Sequence, residues 1–416
     1  MCEYRITGGR PLAGRLTVQG AKNSVLPILA ASVLASGESV IHNCPRLSDV
    51  SATLDILRLL GCRVTQEGDT VRVDASTLRE SCVPDHLMGE LRSSVTFLGA
   101  LLSRCGGAEL AYPGGCQLGP RPIDLHLMAL RTLGAQVLEQ GGRLVCRSRA
   151  CMRGQELCLS IPSVGATENA MLAAVGCEGV TTIVGAAREP EIEDLQAFLR
   201  AMGAEVEGAG GSVIKITGGK PLHPAEHTVI GDRMVAATYL CATGAAGGCV
   251  TLTGVEPHHL TAVLSVLEEA GADIHTEDGI ISMACAEPLC SVRPVRTAPH
   301  PGFPTDAQAP LMAALSCGTG TTMFVENMFL SRYGHVGELV RMGADIQVDG
   351  RVAVVTGRRL HGAAVRGTDL RGGAALVVAA LAARGESRVS GVPYILRGYE
   401  DLDGGLRTLG AQIQLV

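Results

Sequence analysis

EIEDLQAFLRAMGAEVEGAGGSVIKIT, residues 191–217, carries a helix, a stop and two strands in one line. Ile192, Leu195, Phe198, Leu199 and Met202 recur at three- and four-residue spacing, the period of one helix face. Gly203 follows the last of them, as a helix stop does. Val206 opens a short strand, the glycine-rich residues 208–211 make a turn, and Val213, Ile214 and Ile216 make a second strand.

The same line recurs along the chain. LGCRV begins at Leu60, LGAQV at Leu133, MGAEV at Met202, AGADI at Ala270, MGADI at Met342 and LGAQI at Leu409. A spacing of roughly 70 residues is too long for a solenoid and indicates copies of a small subdomain. Ahead of each copy stands a second phrase, an Ala-rich helix, a Gly-containing turn and a strand. ILAASVLASGESVIHN, MLAAVGCEGVTTIVG and LVVAALAARGESRVSG are three of its six instances. These helices are apolar nearly all round, so they are expected inside, with the sheets outside.

The expected fold is therefore α/β: a two-domain, inside-out α/β barrel of six βαβαββ-like repeats. Three repeats fall in residues 21–230. Three fall in residues 231–416, and residues 1–20 supply a strand that the sixth copy lacks. The chain is expected to cross between domains near residues 20–22 and 230–233, with a ligand cleft between them lined by helix N-termini that favour anions.

Composition narrows the function. At 416 residues the chain exceeds one ordinary core, and a mean hydropathy of +0.26 supplies apolar material for two. A net charge of −6 without a basic run argues against nucleic acid and anionic membrane as partners. No apolar run reaches membrane-spanning length and the N-terminus lacks a signal-peptide core, so a cytoplasmic location without membrane insertion is expected. The 15 cysteines include no Cys-x-x-Cys pair, which argues against a zinc ribbon or a disulfide framework. Cys62, Cys158, Cys177, Cys241 and Cys317 lie in apolar stretches and are expected to be core residues.

Several interruptions of the repeat carry reactive or charged groups. YPGGCQLGPRPIDLH, residues 112–126, is broken by three glycines and three prolines, and holds Cys116 and Arg121. Locally, a thiol and a guanidinium on a loop that moves are balanced by a plain surface turn with a bystander cysteine. GAKN places Lys22 and Asn23 at a helix start, where a solvated lysine beside an Asn cap is the rival reading. Arg92 opens another helix, SVGATEN (163–169) a third, and AAREPEIEDL (186–195) a fourth. In RTAPHPGFPTDAQAP (296–310), prolines 299, 301 and 304 stiffen the approach to Asp306, a candidate base or a plain helix cap. SRYGHVGELVRMG holds Arg332 and His335, TDLRGG holds Asp369 and Arg371, and ILRGYEDL holds Arg397. No stretch resembles a P-loop, a dinucleotide fingerprint or a metal set.

Together GAKN, PGGCxLGxRPxDLH, SVGAT, AAREPEI, FPTDxQ and TDLR resemble the enolpyruvyl transferase family, and the resemblance runs end to end. It implies the EPSP synthase-like fold of two inside-out domains with internal threefold symmetry. It also implies that the enolpyruvyl group of phosphoenolpyruvate passes to the 3′-hydroxyl of UDP-N-acetylglucosamine with loss of phosphate, the first committed step of peptidoglycan synthesis. No cofactor and no metal is implied. Cys116 matches the family's general acid, Asp306 its base, and Lys22, Arg121 and Arg397 the grip on phosphate and carboxylate. Asn23 matches a sugar contact. Arg92, Pro122, Ile123, Asp124, Leu125, Ser163, Val164 and Gly165 match positions along the nucleotide sugar and cleft. Met328, Arg332, Asp369 and Arg371 match substrate-side positions of the second domain.

This chain departs from the family at a few positions. Leu330 and Ser331 replace a Glu-Asn pair, Tyr394 and Leu396 replace a His and an Asp, and Ile161 stands where some members carry a lysine. Two other readings use the same fold. One is a shikimate 3-phosphate enolpyruvyl transferase, a branch without the cysteine loop. The other is a degenerate nucleotide-sugar-binding regulator, motivated by the four replacements just named and opposed by the intact Cys116, Lys22, Asp306, Arg121 and Arg397.

Overall fold

The computed structural model describes residues 2–83, 92–111, 123–148 and 151–416, with the side chains of residues 92 and 93 left aside. The chain divides into two compact units, one of residues 20–230 and one that joins residues up to Gln19 to Gly231–Val416. Each unit has its own continuous apolar core.

Six helices form the middle of these cores: α1 (Lys22–Ala31), α2 (Phe97–Cys105), α3 (Val164–Ala174), α4 (Arg233–Ala246), α5 (Thr305–Ser316) and α6 (Leu370–Ala382). The Ala-rich composition does what the sequence predicts. In α6 every residue from Arg371 to Leu381 is buried, and in α3 every residue from Ala166 to Ala174. Small side chains let these helices approach closely. A β-carbon on Gly99 of α2 would lie 2.3 Å from the carbonyl oxygen of Asn169 in α3.

Around the helices lie the sheets, five four-stranded and one three-stranded among the described residues. Each sheet begins with a parallel pair or bridge and continues antiparallel. In the sheet of the quoted stretch, Glu156–Cys158 runs parallel to Gly179–Val184, which pairs antiparallel with Val213–Gly218. Strand alternation puts one face on the helices: Ile183, Ile214 and Ile216 are fully buried. Cys158 is exposed on the outer face, contrary to the expectation of a core position, because its three-residue edge strand buries only Leu157. Cys62, Cys177 and Cys241 are buried and Cys317 partly so.

Terminal strands complete three sheets. Glu226–Thr228 runs parallel to Glu38–His42 at the far end of its own unit. Glu3–Thr7 inserts antiparallel between Glu386–Ser390 and Gln412–Leu415, while Leu12–Thr17 pairs with Gly248–Thr253.

The glycine of the recurring phrase explains its recurrence. Gly61, Gly134, Gly203, Gly271, Gly343 and Gly410 all have positive φ, from 90° to 103°, and each turns the chain from an outer helix into the next strand. A side chain there forces the left-handed conformation on an L-residue. No atom lies within 4 Å of a β-carbon built on Gly271, so strain acts there without a clash. Gly271→Ala is therefore expected to cost about 1–2 kcal/mol of stability in denaturant unfolding, with turnover unchanged. No loss of stability would refute the conformational reason for the repeat.

Candidate active site

In the unit of residues 20–230, the start of α1 is fixed by a close backbone approach. A β-carbon on Gly20 would lie 1.7 Å from the carbonyl oxygen of Asn43, which itself has φ of 54° and donates its side-chain amide to Val229. Ala21 stands at the cap, so Asn23 lies inside the first turn, exposed, and does not cap the helix. Lys22 is not a solvated lysine: it is buried, with Nζ 2.5 Å from the equally buried Asp49 carboxylate. A pair taken so far out of water holds its geometry tightly, since losing one partner strands the other charge. Next in the turn, Ser24 donates to the buried Asp194, which also accepts from His227 Nε2 at 2.7 Å and from the Ile230 backbone N–H at 3.3 Å.

Ser163 caps α3 by accepting from the Ala166 N–H at 3.4 Å, and Val164 and Gly165 form its half-buried first turn. Their N–H groups are among those that an α-helix leaves without intrahelical acceptors, a favourable place for an anion. Gly165 packs closely on a neighbour. A β-carbon there would meet His126 Cε1 at 3.0 Å. Ile123 is buried, Asp124 exposed and Leu125 half-buried, all at the start of the helix that carries His126. Asn169 fixes that histidine. Its Oδ1 accepts from the Gly99 N–H at 2.6 Å, which turns its Nδ2 toward the Val95 carbonyl at 3.0 Å and toward His126 Nδ1 at 3.1 Å. His126 Nδ1 is thereby the acceptor, and the ring carries its proton on Nε2, the nitrogen nearer Gly165. Also on α3, burial pushes the Glu168 carboxyl up to about 8, helped by the carboxylates of Glu191 and Glu189.

The other unit assembles a cluster from segments distant in sequence. Asp306, in the first turn of α5, does not act as a plain cap: Oδ1 accepts from Arg332 at 2.7 Å and Oδ2 from Arg371 at 3.2 Å. Both arginines are buried, while about a third of the Asp306 side chain stays accessible. Arg332 also donates to the Thr305 carbonyl. Burial opposes the charge on Arg371, but Tyr399, Asp306 and Asp232 outweigh it and hold the guanidinium above its usual range. Asp369 caps α6, accepting from the N–H groups of Arg371 and Gly372. Buried Glu326 ties the Thr297 and Thr305 hydroxyls to the Met328 and Phe329 N–H groups, leaving Met328 and Leu330 exposed. His335 is buried with neither ring nitrogen hydrogen-bonded among the described residues. Burial holds its pKa down at about 4, with Arg332 adding to this and Asp369 opposing it. Arg397 is half-buried in the turn before Leu402–Thr408.

The sequence-predicted residues thus fall into two groups. Lys22, Asn23, Ile123, Asp124, Leu125, Ser163, Val164 and Gly165 belong to one unit, and Met328, Arg332, Asp306, Asp369, Arg371 and Arg397 to the other. Cys116, Arg121 and Pro122, like the whole stretch 112–122, lie outside the described residues, as does the Arg92 side chain. Sequence reasoning missed Asp49, Asp194, His126, Asn169, Glu326 and Tyr399. Asp194, His126, Asn169 and Tyr399 stand inside motifs already singled out, so only the extent of those motifs was misjudged. Among the described residues no group of three or more His, Cys, Asp and Glu side chains is arranged to hold a metal ion. No helix among them is long and apolar enough to cross a membrane.

Each unit thus repeats one pattern with helices inside and sheets outside, one holding a buried lysine and the other a carboxylate between two guanidiniums. The family profile described as EPSP synthase (3-phosphoshikimate 1-carboxyvinyltransferase) matches residues 6–406. The UDP-N-acetylglucosamine 1-carboxyvinyltransferase 2 of Caldanaerobacter subterraneus subsp. tengcongensis is 48% identical over 414 residues, 99% of each chain. The UDP-N-acetylglucosamine 1-carboxyvinyltransferase of Mycobacterium tuberculosis is 45% identical, again over 99% of each chain. Among solved structures, the enolpyruvyl transferase NikO from Streptomyces tendae superposes with a TM-score of 0.88 at 28% identity, covering 100% of this chain and 99% of that one. EPSP synthase from Acinetobacter baumannii, at 20% identity and a TM-score of 0.78 over the whole of both chains, shares the fold. The chain belongs to the enolpyruvyl transferase family and is an enzyme of that family.

Glu168 yields a stability prediction. Its folded pKa of about 8 exceeds the ordinary glutamate value of 4.5, so between these two pH values the folded state holds a proton that the unfolded state has lost. Stability therefore falls as pH rises through that window. Glu168→Gln is expected to raise the unfolding temperature at pH 8 relative to the unaltered protein, with the difference vanishing near pH 4. A constant difference at both pH values would contradict this.

Proposed function

We propose that this enzyme transfers the enolpyruvyl group of phosphoenolpyruvate to the 3′-hydroxyl of UDP-N-acetylglucosamine, releasing phosphate, as the first committed step of peptidoglycan synthesis in the cytoplasm. The observation that carries this reading is the identity of 43–48% over essentially the full length to relatives bearing that activity in their names. Identity to two solved structures of EPSP synthase from Acinetobacter baumannii is 20–21%. The thiol-bearing stretch around Cys116, which the shikimate branch lacks, supports the same choice.

An enol ether becomes electrophilic when its methylene carbon is protonated. In the proposed reaction the Cys116 thiol gives its proton to C3 of phosphoenolpyruvate, leaving an oxocarbenium-like C2. The sugar 3′-oxygen bonds to C2 while its proton passes to Asp306. The adduct then loses a C3 proton to the Cys116 thiolate and breaks its C2–O bond to phosphate, which leaves with the electron pair. Arg121 keeps the thiol acidic, and Lys22, Arg121 and Arg397 hold the phosphate and carboxylate. The Lys22–Asp49 pair gives Lys22 a fixed direction, and the two guanidiniums give Asp306 one. Asn23 contacts the sugar. The first turn of α3, with Arg92, Pro122, Ile123, Asp124 and Leu125, takes the nucleotide diphosphate and base. Met328, Arg332, Asp369 and Arg371 complete the acceptor side.

Phosphate release from phosphoenolpyruvate tests the substrate. Release is expected with UDP-N-acetylglucosamine and not with shikimate 3-phosphate. The reverse order would place the enzyme in the shikimate branch, and sugar binding without turnover would make it a regulator. Asp306→Asn is expected to lower kcat about a hundredfold or more. Mass spectrometry after incubation with the epoxide fosfomycin should find alkylation at Cys116, promoted by the nucleotide sugar. Labelling spread over other cysteines would count against Cys116 as the acid.

A further inference from the structure

The chain leaves the unit that holds Asp306 and Arg397 directly after Gln19 and returns to it at Gly231. Gln19 is fastened at both levels. Its backbone carbonyl accepts from the Asp232 N–H at 2.8 Å, tying the departing strand to the returning one. Its side chain reaches the 397–400 turn, where Nε2 donates to the Gly398 carbonyl at 3.2 Å and Oε1 accepts from the Glu400 N–H at 2.8 Å. The two partners are a carbonyl and an N–H two residues apart, so the amide group pairs with this turn as a neighbouring strand's peptide would. Both partners are backbone groups of fixed polarity, which also fixes which end of the amide faces which.

The clamped segment is RGYE, and each of its middle residues is committed. Gly398 packs against Leu370 so closely that a β-carbon would lie 2.8 Å from Leu370 Cδ2. Tyr399 is fully buried: its hydroxyl accepts from Arg371 Nη1 at 3.0 Å and pairs with Thr238 Oγ1 at 2.7 Å. Arg371 in turn holds Asp306. Arg397, immediately before the clamp, is the one member of the turn assigned to substrate.

We propose that Gln19 is a positioning residue: by clamping Gly398 and Glu400 it sets the direction of Arg397. The role rests on the reading of Arg397 as a grip on phosphoenolpyruvate. Loss of the clamp leaves two backbone groups of the turn without their side-chain partner and lets the turn, and Arg397 with it, take other positions.

Steady-state kinetics of the whole enzyme with phosphoenolpyruvate and UDP-N-acetylglucosamine tests the role in a double-mutant cycle of Gln19→Ala and Arg397→Lys. Gln19→Ala is expected to lower kcat/KM for phosphoenolpyruvate about tenfold. The same change is expected to cost less than about twofold once Arg397→Lys is present, since the group it positions is already compromised. Gln19→Glu keeps the acceptor for Glu400 but sets an oxygen against the Gly398 carbonyl. Its loss is expected to lie between those of wild type and Gln19→Ala, and if Gln19→Ala does not fold it takes that variant's place in the cycle. Losses that multiply in the double variant, or a Gln19→Ala enzyme kinetically equal to wild type, overturn the positioning role and leave the reading of Arg397 intact. An Arg397→Lys enzyme as active as wild type overturns the reading of Arg397, and the role of Gln19 with it.

Discussion

Six helices in this protein have no solvent face. That constraint governs the rest. A helix buried on all sides cannot use the usual apolar stripe and polar back, so α3 and α6 are built almost entirely of small and aliphatic residues. The sheets are then forced outward, with one face on the helices and one in water. Several polar residues left inside are bonded locally: Thr238, Thr243 and Ser316 donate back to carbonyls of their own helices. The buried ends of the helices are where charge collects. Lys22, Ser163, Asp306 and Asp369 all lie at or beside an N-terminus.

That arrangement explains the character of the two residue groups. The ionic side chains at the helix starts are held by partners of opposite sign, not by water: Lys22 by Asp49, and Asp306 by Arg332 and Arg371. Fixed charges of this kind do not have to reorganise as a reaction proceeds, which suits an enzyme whose substrate and leaving group are both anions. His335 and Glu168 mark the limit of the strategy. Each is buried without a charge partner that favours its ionised form strongly enough, and each is displaced toward neutrality.

What the sequence made legible was whatever has a local physical cause. The left-handed glycine after each outer helix, the Ala-rich runs and the alternating strands all follow from neighbours within a dozen residues, so the sixfold repeat and the layer order could be read from them. Lys22, Asp306 and Arg397 were recognisable because unusual turns surround them. Their pairings were not. Asp49 sits in an ordinary amphipathic helix, and Arg371, although singled out itself, meets Asp306 from 65 positions away. Asn169 looks like any polar residue near a helix start, although its amide joins α2, α3 and the helix that carries His126. Such pairings depend on how whole layers meet, which no local pattern encodes.

The placement of Glu3–Thr7 has a consequence for how the chain is made. This strand lies between Glu386–Ser390 and Gln412–Leu415, so a segment made early must wait for partners made much later. The unit of residues 20–230 is contiguous and has its full complement of chain long before synthesis ends. During translation the N-terminal segment is therefore an unpaired strand attached to a neighbour that is free to fold, a period of exposure that grows with every residue still to be added. The polar, charged outer face of that strand, with Glu3 and Arg5, keeps it from being an attractive edge for other chains while it waits.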